Sequence, residues 1–384
     1  MSDISKPGAS LVVMPTASGK SHVIAGAAKL VDTVLILQPS RELLEQNREK
    51  LLRFVPADQV GTFSASFNLR EIKTFTFATI QSVYNKPELF KHIKLVFLDE
   101  CHNLAPRALD SMYTSFLAAI GSPKVIGLTA TPFRNEIGYF RYPTGELEAT
   151  TMLKLINRMR HKDAKEMFWK RIIYKINYKT LLEQGYLSPI EYIHEPLMPY
   201  AEIPVNVSRS DYNLESYTEA IVGRESVILS TISEAQNRYK ALLVFCATTE
   251  QARHLSEVIV GSAMVSAKTP PKEREQTTED FKKGKIKTIF NVNCLTTGFD
   301  KPDLDCVILL RPTRSPLLYV QMLGRLSRVA EGKTHGTVID LTGTCKSFGG
   351  IESFELYLNP RGLWDLRTGK HPTFHDRVLF SRIV

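Results

Sequence analysis

Short apolar runs alternate with stretches of helical pattern over the first third of the chain. Five runs are rich in Val, Ile, Leu and Phe: residues 11–14, 34–39, 75–80, 95–100 and 125–131. Near-continuous apolar strands separated by helices are typical of a parallel sheet covered on both faces. The pattern therefore predicts an α/β domain over residues 1–140.

The pattern returns in the second half of the chain after an interruption. No comparable strand series occurs between Thr131 and Leu242; it resumes at residues 242–248, 288–293, 306–312 and 336–343. We expect a second α/β domain over residues 186–350, because Gly185 and Pro189 punctuate the chain near its start. Residues 141–185 are expected to form a basic, helical connecting insert, and residues 351–384 a C-terminal tail.

Composition limits the class of protein. A hydrophobic content of 43% and a charged content of 23% are those of an ordinary soluble protein. The five cysteines include no C-x-x-C pair, so neither a disulfide framework nor a zinc site is indicated. The start of the sequence has no signal-peptide core, and no run approaches the ~18 apolar residues of a membrane span. We expect a soluble protein in the cytoplasm of a bacterium or of a phage-infected host cell, with no membrane partner.

Positive charge is concentrated in the predicted insert. The net charge is +9, and the stretch from Lys154 to Lys179 holds nine Lys or Arg against Asp163 and Glu166, which gives 9 − 2 = +7. Such a segment attracts a polyanion, and its aromatic residues could stack on bases. The alternative is a solvated helix pair whose aromatics pack on a core. The candidate contacts are Arg158, Arg160, Lys162, Lys165 and Trp169.

A candidate phosphate-binding loop lies near the start, in the stretch VVMPTASGKS over residues 12–21. Residues 11–14 are a predicted strand and residues 22–30 a predicted helix, so the loop ends where a helix begins. Free N–H groups and the helix dipole bind anions there. The candidate nucleotide contacts are Thr16, Ala17, Ser18, Gly19, Lys20 and Ser21. A strand, turn and helix without a nucleotide is the alternative.

Two carboxylates follow the apolar run that ends at residue 98. Asp99 and Glu100 begin the sequence Asp-Glu-Cys-His, at the carboxyl end of a predicted parallel strand, where ligands bind in such sheets. Asp99 is suited to hold Mg²⁺ together with Ser21, and Glu100 to orient the attacking water. Alone, this stretch could be a polar strand end; about eighty residues after a Gly-Lys-Ser loop, it indicates an ATP and Mg²⁺ site.

Together with several later motifs, the loop and the Asp-Glu-Cys-His box resemble helicase superfamily 2 in its DExH group. The resemblance extends from Met14 to Arg328. The segment Pro39-Ser40-Arg41 with Gln46 resembles motif Ia, Thr79-Ile80-Gln81-Ser82 the next strand-contacting motif, Thr129-Ala130-Thr131 motif III, residues 245–248 motif IV, residues 293–300 motif V and residues 321–328 motif VI.

This resemblance implies two RecA-like domains, with parallel sheets flanked by helices and ATP in the cleft between them. It implies catalytic roles for Lys20, Asp99, Glu100, Gln321, Arg325 and Arg328, nucleotide contacts from Gly298 and Asp300, and coupling of hydrolysis to strand movement by Thr129 and Thr131. It implies nucleic-acid contacts from Pro39, Ser40, Arg41, Thr79, Gln81, Thr248 and Thr297.

Two departures from the family pattern concern the nucleotide. Met14 and Ala17 stand where small residues or glycine are common, which narrows the backbone conformations of the loop. Only ten residues precede Leu11, too few for the family's full upstream glutamine segment that recognises adenine. We therefore expect either relaxed base recognition or a natural N-terminus longer than this chain.

Motors of this family contact mainly the sugar-phosphate backbone of the nucleic acid, so the motifs do not by themselves distinguish DNA from RNA. The run over residues 127–134 and the stretch GYLSPI over residues 185–190 look most like the DNA repair, recombination and phage branch-migration branch. We expect a monomeric DNA helicase or translocase that acts on forked or branched DNA and single-strand/duplex junctions. An RNA helicase, or a nucleotide-gated clamp without unwinding, is the alternative.

Overall fold

The computed structural model describes residues 9–27, 31–104, 111–141, 147–155, 168–206, 211–295, 299–358 and 364–367. The chain divides into two compact units. Unit 1 comprises residues 1–134 and 155–176, and unit 2 comprises residues 135–154 and 177–384.

Unit 1 is built on a sheet that contains eight strands among its described residues. The strands up to residue 175 are β1 (Ala9–Val13), β2 (Val34–Gln38), β3 (Val60–Ser64), β4 (Leu69–Arg70), β5 (Phe75–Thr79), β6 (Leu95–Asp99), β7 (Lys124–Thr129), β8 (Phe133–Arg141), β9 (Leu147–Leu155) and β10 (Trp169–Lys175). The sheet order is β10-β1-β7-β6-β2-β5-β3-β4, while β8 and β9, most of whose residues belong to unit 2, form a separate two-stranded sheet. Every neighbouring pair of the large sheet is parallel except β3 and β4.

Helices cover both faces of this sheet. They are α1 (Lys20–Ala27), α2 (Arg41–Leu51), α3 (Ile80–Val83) and α4 (Met112–Ala119). Alternate residues of β6 enter different apolar clusters, with Leu95 and Phe97 in one and Val96 and Leu98 in the other. Side chains of a strand point to opposite faces in turn, so both faces of the sheet are buried, as the apolar runs predicted.

The strand β10 corrects the expectation of a helical insert. Residues 147–155 and 169–175 of the predicted helical segment are strands, and β10 pairs in parallel with β1 at the edge of the sheet. The physical reason is Trp169, which is fully buried. A Cβ on Gly127 of β7 would lie 2.4 Å from Cη2 of Trp169, so only a glycine leaves room for the indole. This close packing fixes the segment on the sheet, against its local helical pattern.

Unit 2 contains a second parallel sheet. Its strands are β11 (Ile190–His194), β12 (Leu242–Phe245), β13 (Ser262–Ser266), β14 (Thr288–Val292), β15 (Cys306–Leu309) and β16 (Gly336–Asp340), in the order β11-β16-β15-β12-β14-β13. All described pairs of this sheet are parallel. Strands β17 (Glu355–Leu358) and β18 (Trp364–Arg367) form an antiparallel pair.

The helices of unit 2 are α5 (Tyr178–Glu183), α6 (Leu214–Ala220), α7 (Glu225–Arg238), α8 (Thr249–Val258), α9 (Pro271–Lys282), α10 (Pro316–Leu323) and α11 (Thr344–Phe348). The expected fold class, two α/β units with parallel sheets, is confirmed. The domain boundaries drawn from the sequence stay predictions. Among the described residues, no helix reaches the length and apolar character that crossing a bilayer requires.

Candidate functional site

The candidate phosphate loop joins β1 to α1. Two of its residues have left-handed backbone conformations, Ala17 with φ 67° and Gly19 with φ 88°. The hydroxyl of Ser18 donates to the carbonyl of Pro15 at 2.6 Å, which closes the turn. Lys20 and Ser21 therefore stand in the first turn of α1, where backbone N–H groups are free for an anion.

The two carboxylates lie beside this lysine. Strand β6 ends at Asp99, and Lys20 Nζ is 3.8 Å from Asp99 Oδ1 and 3.2 Å from Glu100 Oε1. Glu100 has a left-handed conformation, with φ 45°, and this turns its side chain off the strand towards the loop. The sequence prediction that these three residues meet, across 80 positions of chain, is seen in the geometry.

Burial makes this group of charges costly to hold. Burial raises the pKa of Asp99, the neighbouring charge of Glu100 raises it further, and Lys20 opposes the shift. Burial alone would lower the pKa of Lys20, but the charges of Glu100 and Asp99 outweigh it, so the pKa of Lys20 is raised. Lys20 is thus shared between the two carboxylates.

Asn47 and His102 were not given roles from the sequence, although both contact the carboxylates. Asn47 Nδ2 donates to Asp99 Oδ2 at 2.9 Å and to Gln38 Oε1 at 3.1 Å. It lies on α2, which Ser40 caps through a hydrogen bond from the N–H of Leu43. An asparagine seven residues after a cap has no distinctive pattern, so sequence reasoning had no signal for this contact.

His102 links the carboxylates to the end of β7. Its Nδ1 lies 3.0 Å from Thr129 Oγ1, 3.3 Å from Thr131 Oγ1 and 3.5 Å from Glu100 Oε2. All of these partners except Glu100 are buried. The two threonines predicted to couple hydrolysis to movement are therefore connected to Glu100 through a single imidazole.

The residues fit a Mg²⁺–nucleotide, although no group of three His, Cys, Asp or Glu among the described residues could hold a metal by itself. Magnesium keeps several waters and is held by one or two protein groups together with phosphates. Asp99 supplies a buried carboxylate and Ser21, 8% exposed, a hydroxyl at the start of α1. Gly19 has φ 88°, a backbone conformation that L side chains rarely adopt, and a Cβ there would meet the imidazole of His22 at 3.1 Å, so this position favours glycine.

The predicted nucleic-acid contacts of unit 1 lie at the carboxyl ends of β2 and β5, which are neighbours in the sheet. Arg41 and Gln81 are exposed, and the guanidinium of Arg41 lies 4.3 Å above the ring of Phe67. Pro39, Ser40 and Thr79 are half-buried beside them. Ser40 caps α2, and Thr79 shares a hydrogen bond with Ser82 at 3.0 Å, so both hydroxyls also serve the fold.

In unit 2, the predicted arginines hold a short loop. Arg325 and Arg328 both donate to the carbonyl of Phe299, and Arg328 forms an ion pair with Asp300 at 3.0 Å. Burial lowers the pKa of Arg328, and the charge of Asp300 opposes that change. Gln321 is half-buried on α10, and Thr248 caps α8 by accepting from the N–H of Gln251.

Other predicted positions cannot be placed or do not fit. Thr297, Gly298, Arg158, Arg160, Lys162 and Lys165 lie outside the residues that the structure describes. Trp169 is a correction: its ring is fully buried and contacts Phe168 edge-on, with centroids 4.9 Å apart, so it does not stack on bases.

Two protein families match the chain in sequence. The family described as "Type III restriction enzyme, res subunit" matches residues 4–134. The family described as "Helicase conserved C-terminal domain" matches residues 224–330. The two matches fall in unit 1 and unit 2 respectively.

Individual relatives are similar over most of this chain. A 51.5 kDa protein of a Lactococcus phage is 26% identical over 84% of this chain and 64% of its own length, so the chain spans slightly less than two thirds of that relative. A DNA 3'-5' translocase, XPB2, of Sulfurisphaera tokodaii is 23% identical over 83% of this chain and 74% of its own length. A fragment described as the HsdR subunit of a type I restriction enzyme from Vibrio vulnificus has the same fold, with a TM-score of 0.63 and 18% identity over 89% of this chain and 61% of its own.

Proposed function

We propose that the chain, whose two family matches are a restriction-enzyme subunit and a helicase C-terminal domain, is an ATP-driven motor of helicase superfamily 2 that moves along or remodels DNA. The observation that carries the proposal is the meeting of Lys20, Asp99 and Glu100 at the carboxyl edge of the first sheet. A lysine at a helix start beside two carboxylates is suited to bind a nucleoside triphosphate and hydrolyse it.

Each group has a separate task in this proposal. Lys20, now bound to Glu100 at 3.2 Å, exchanges that contact for the β and γ phosphates. Asp99 and Ser21 would hold Mg²⁺, which would supply positive charge to offset that of the phosphates. Glu100, released from Lys20, orients or deprotonates the attacking water. His102 keeps the Glu100 side chain close to Thr129 and Thr131.

The arginines of unit 2 complete the proposed ATP site. In the proposal, Arg325 and Arg328 leave the carbonyl of Phe299 and stabilise the charge that develops on the γ phosphate. In this proposal, hydrolysis is fast only in the state in which the two arginines reach the phosphates bound at the phosphate loop. ATP favours that closed state, and its hydrolysis reopens it, so a strand held by both units is moved stepwise.

DNA is proposed as the substrate on the basis of two similarities. One family is a restriction-enzyme subunit, and one relative is a DNA translocase. Exposed Arg41 and Gln81 provide donors for a phosphate backbone at the edge of unit 1. Forked or branched DNA, within repair, recombination or replication, is our proposal for the preferred structure.

A substrate panel tests the proposal. Steady-state ATP hydrolysis and strand separation are measured with Mg²⁺ on single-stranded DNA, duplex, fork, four-way junction and RNA. We expect DNA to stimulate turnover, the fork or junction most strongly, and EDTA to stop it. Stimulation by RNA alone would identify an RNA helicase. Nucleotide-dependent DNA binding without turnover would identify a clamp.

A further inference from the structure

Two aromatic side chains lie beside the phosphate loop. His22 directly follows Ser21 in α1, and Phe54 lies in the turn after α2, where its N–H donates to the carbonyl of Leu51 at 2.9 Å. The ring centroids are 4.2 Å apart and the ring planes are inclined at 50°. His22 is exposed, and Phe54 keeps 46% of its surface in solvent. A single exposed phenylalanine is common on protein surfaces and needs no explanation. Two exposed aromatic rings in contact beside the phosphate loop are less common and suggest a ligand contact.

The imidazole of His22 is folded back against the loop. A Cβ on Gly19 would lie 3.1 Å from its Nδ1 and 3.8 Å from its Cε1, so the ring lies directly over the left-handed glycine. Phe54 extends the same surface on the side of α2. The pair therefore forms a rim at the start of α1, where the phosphates of a nucleotide are proposed to bind.

We propose that His22 and Phe54 form the surface on which the base of the bound nucleotide stacks. The inference rests on the proposed function, because it requires the loop to hold the triphosphate. The base is joined to the phosphates through one ribose, which places it within reach of the rim once Lys20 and Ser21 hold the phosphates. Aromatic rings offer a flat base a large, rigid contact.

This surface distinguishes bases poorly. Stacking uses the π face, which every base has, and so it tolerates changes in the base. ATP and GTP are therefore expected to bind with similar affinity. The competing explanation is that Phe54 only packs the end of α2 against α1.

Binding of two ligands to the full chain separates these explanations. Titration calorimetry is performed with Mg²⁺-ATP and with Mg²⁺ and inorganic tripolyphosphate, which has phosphates and no base. Phe54→Ala should weaken ATP binding about 5- to 150-fold, the range for loss of one base–aromatic stack, and leave tripolyphosphate binding unchanged. His22→Ala should act in the same direction, and Phe54→Trp should restore ATP binding. Leu89→Ala, which removes a 43% exposed apolar side chain elsewhere in unit 1, is the matched control.

Phe54→Leu keeps the apolar volume and loses the ring. Wild-type ATP affinity in this variant would overturn the proposal, and so would equal weakening of ATP and tripolyphosphate in Phe54→Ala. Failure of the motor proposal gives a different result. A chain that binds ATP and tripolyphosphate but never hydrolyses ATP is not a motor, and its two affinities still test the stacking surface. A chain that binds neither ligand overturns both proposals.

Discussion

In unit 1 the candidate catalytic side chains are bound to one another across neighbouring strands, whereas in unit 2 the two arginines are bound to one short loop. Lys20 follows β1, Glu100 follows β6 and Thr129 ends β7, and these strands are adjacent in the order β1-β7-β6. Arg325 and Arg328, by contrast, share the single carbonyl of Phe299.

This difference indicates what each unit contributes. A network that spans several strands fixes the positions of its members, and in unit 1 it holds both the proposed phosphate contact, Lys20, and the proposed water-orienting group, Glu100. Arg325 and Arg328 both donate to the carbonyl of Phe299, so they can donate to a phosphate only after this contact is broken. Unit 1 is therefore expected to set both nucleotide binding, through Lys20, and activation of the attacking water, through Glu100, whereas the arginines of unit 2 are expected to affect mainly the rate of the chemical step.

The largest expected effect comes from the charged centre of unit 1. Lys20→Ala and Glu100→Gln should both abolish DNA-stimulated ATP hydrolysis, because the first removes the phosphate contact and the second the group that orients water. Lys20→Ala should also weaken nucleotide binding, whereas Glu100→Gln should retain ATP and accumulate the closed state. Turnover assays and nucleotide titrations measure the two effects; near-normal turnover in Glu100→Gln would exclude its proposed role.

Arg325→Ala tests the same comparison from the side of unit 2. Arginines that stabilise phosphoryl transfer contribute ~10³–10⁵ in rate, so turnover should fall by about that factor while ATP affinity changes little. Single-turnover kinetics and ATP titration provide both numbers. Comparable losses of rate and affinity would show that Arg325 is a structural support for the Phe299 loop, which its 5% exposure also permits.

A smaller effect is expected from the imidazole that joins Glu100 to the threonines. His102→Ala removes the contact to the charged Glu100, and a hydrogen bond to a charged group is worth about 1.5–3 kcal/mol, so turnover should fall about 10- to 150-fold. DNA stimulation should decline more than basal hydrolysis if Thr129 and Thr131 couple the two. His92→Ala, an exposed histidine of the same unit, serves as the control. Equal loss of basal and stimulated rates would place His102 in positioning Glu100 alone.

Much of this arrangement follows from the sequence, because parallel strands bring their carboxyl ends to one edge. That rule places Lys20 and Glu100 together although 80 positions separate them. It does not find contacts made by ordinary helix residues such as Asn47, whose partner Asp99 is 52 positions away. The sequence also did not predict strand β10, because the position of this strand depends on a contact between residues distant in the chain. Its sequence WKRIIYK has no continuous apolar run, and its position depends on Trp169 entering the space above Gly127.

The smallest expected effect concerns backbone strain in the phosphate loop. Ala17 has φ 67° and an exposed side chain, whereas the loop after β14 has Asn293 at φ 58°, a residue type that tolerates this region better. A left-handed backbone conformation destabilises the folded state by about 1–2 kcal/mol for a residue other than glycine. Replacing alanine by glycine also lowers the free energy of unfolding by about 0.4–1 kcal/mol, because it raises the conformational entropy of the unfolded chain. Ala17→Gly should therefore stabilise the chain by about 0–1.5 kcal/mol. The exposed Ala57, whose φ is not positive, is the control. Ala57→Gly raises the entropy of the unfolded chain and removes no backbone strain, so it should destabilise the folded state. Urea unfolding of both variants measures the difference; equal destabilisation would mean that the loop of unit 1 is not strained at Ala17.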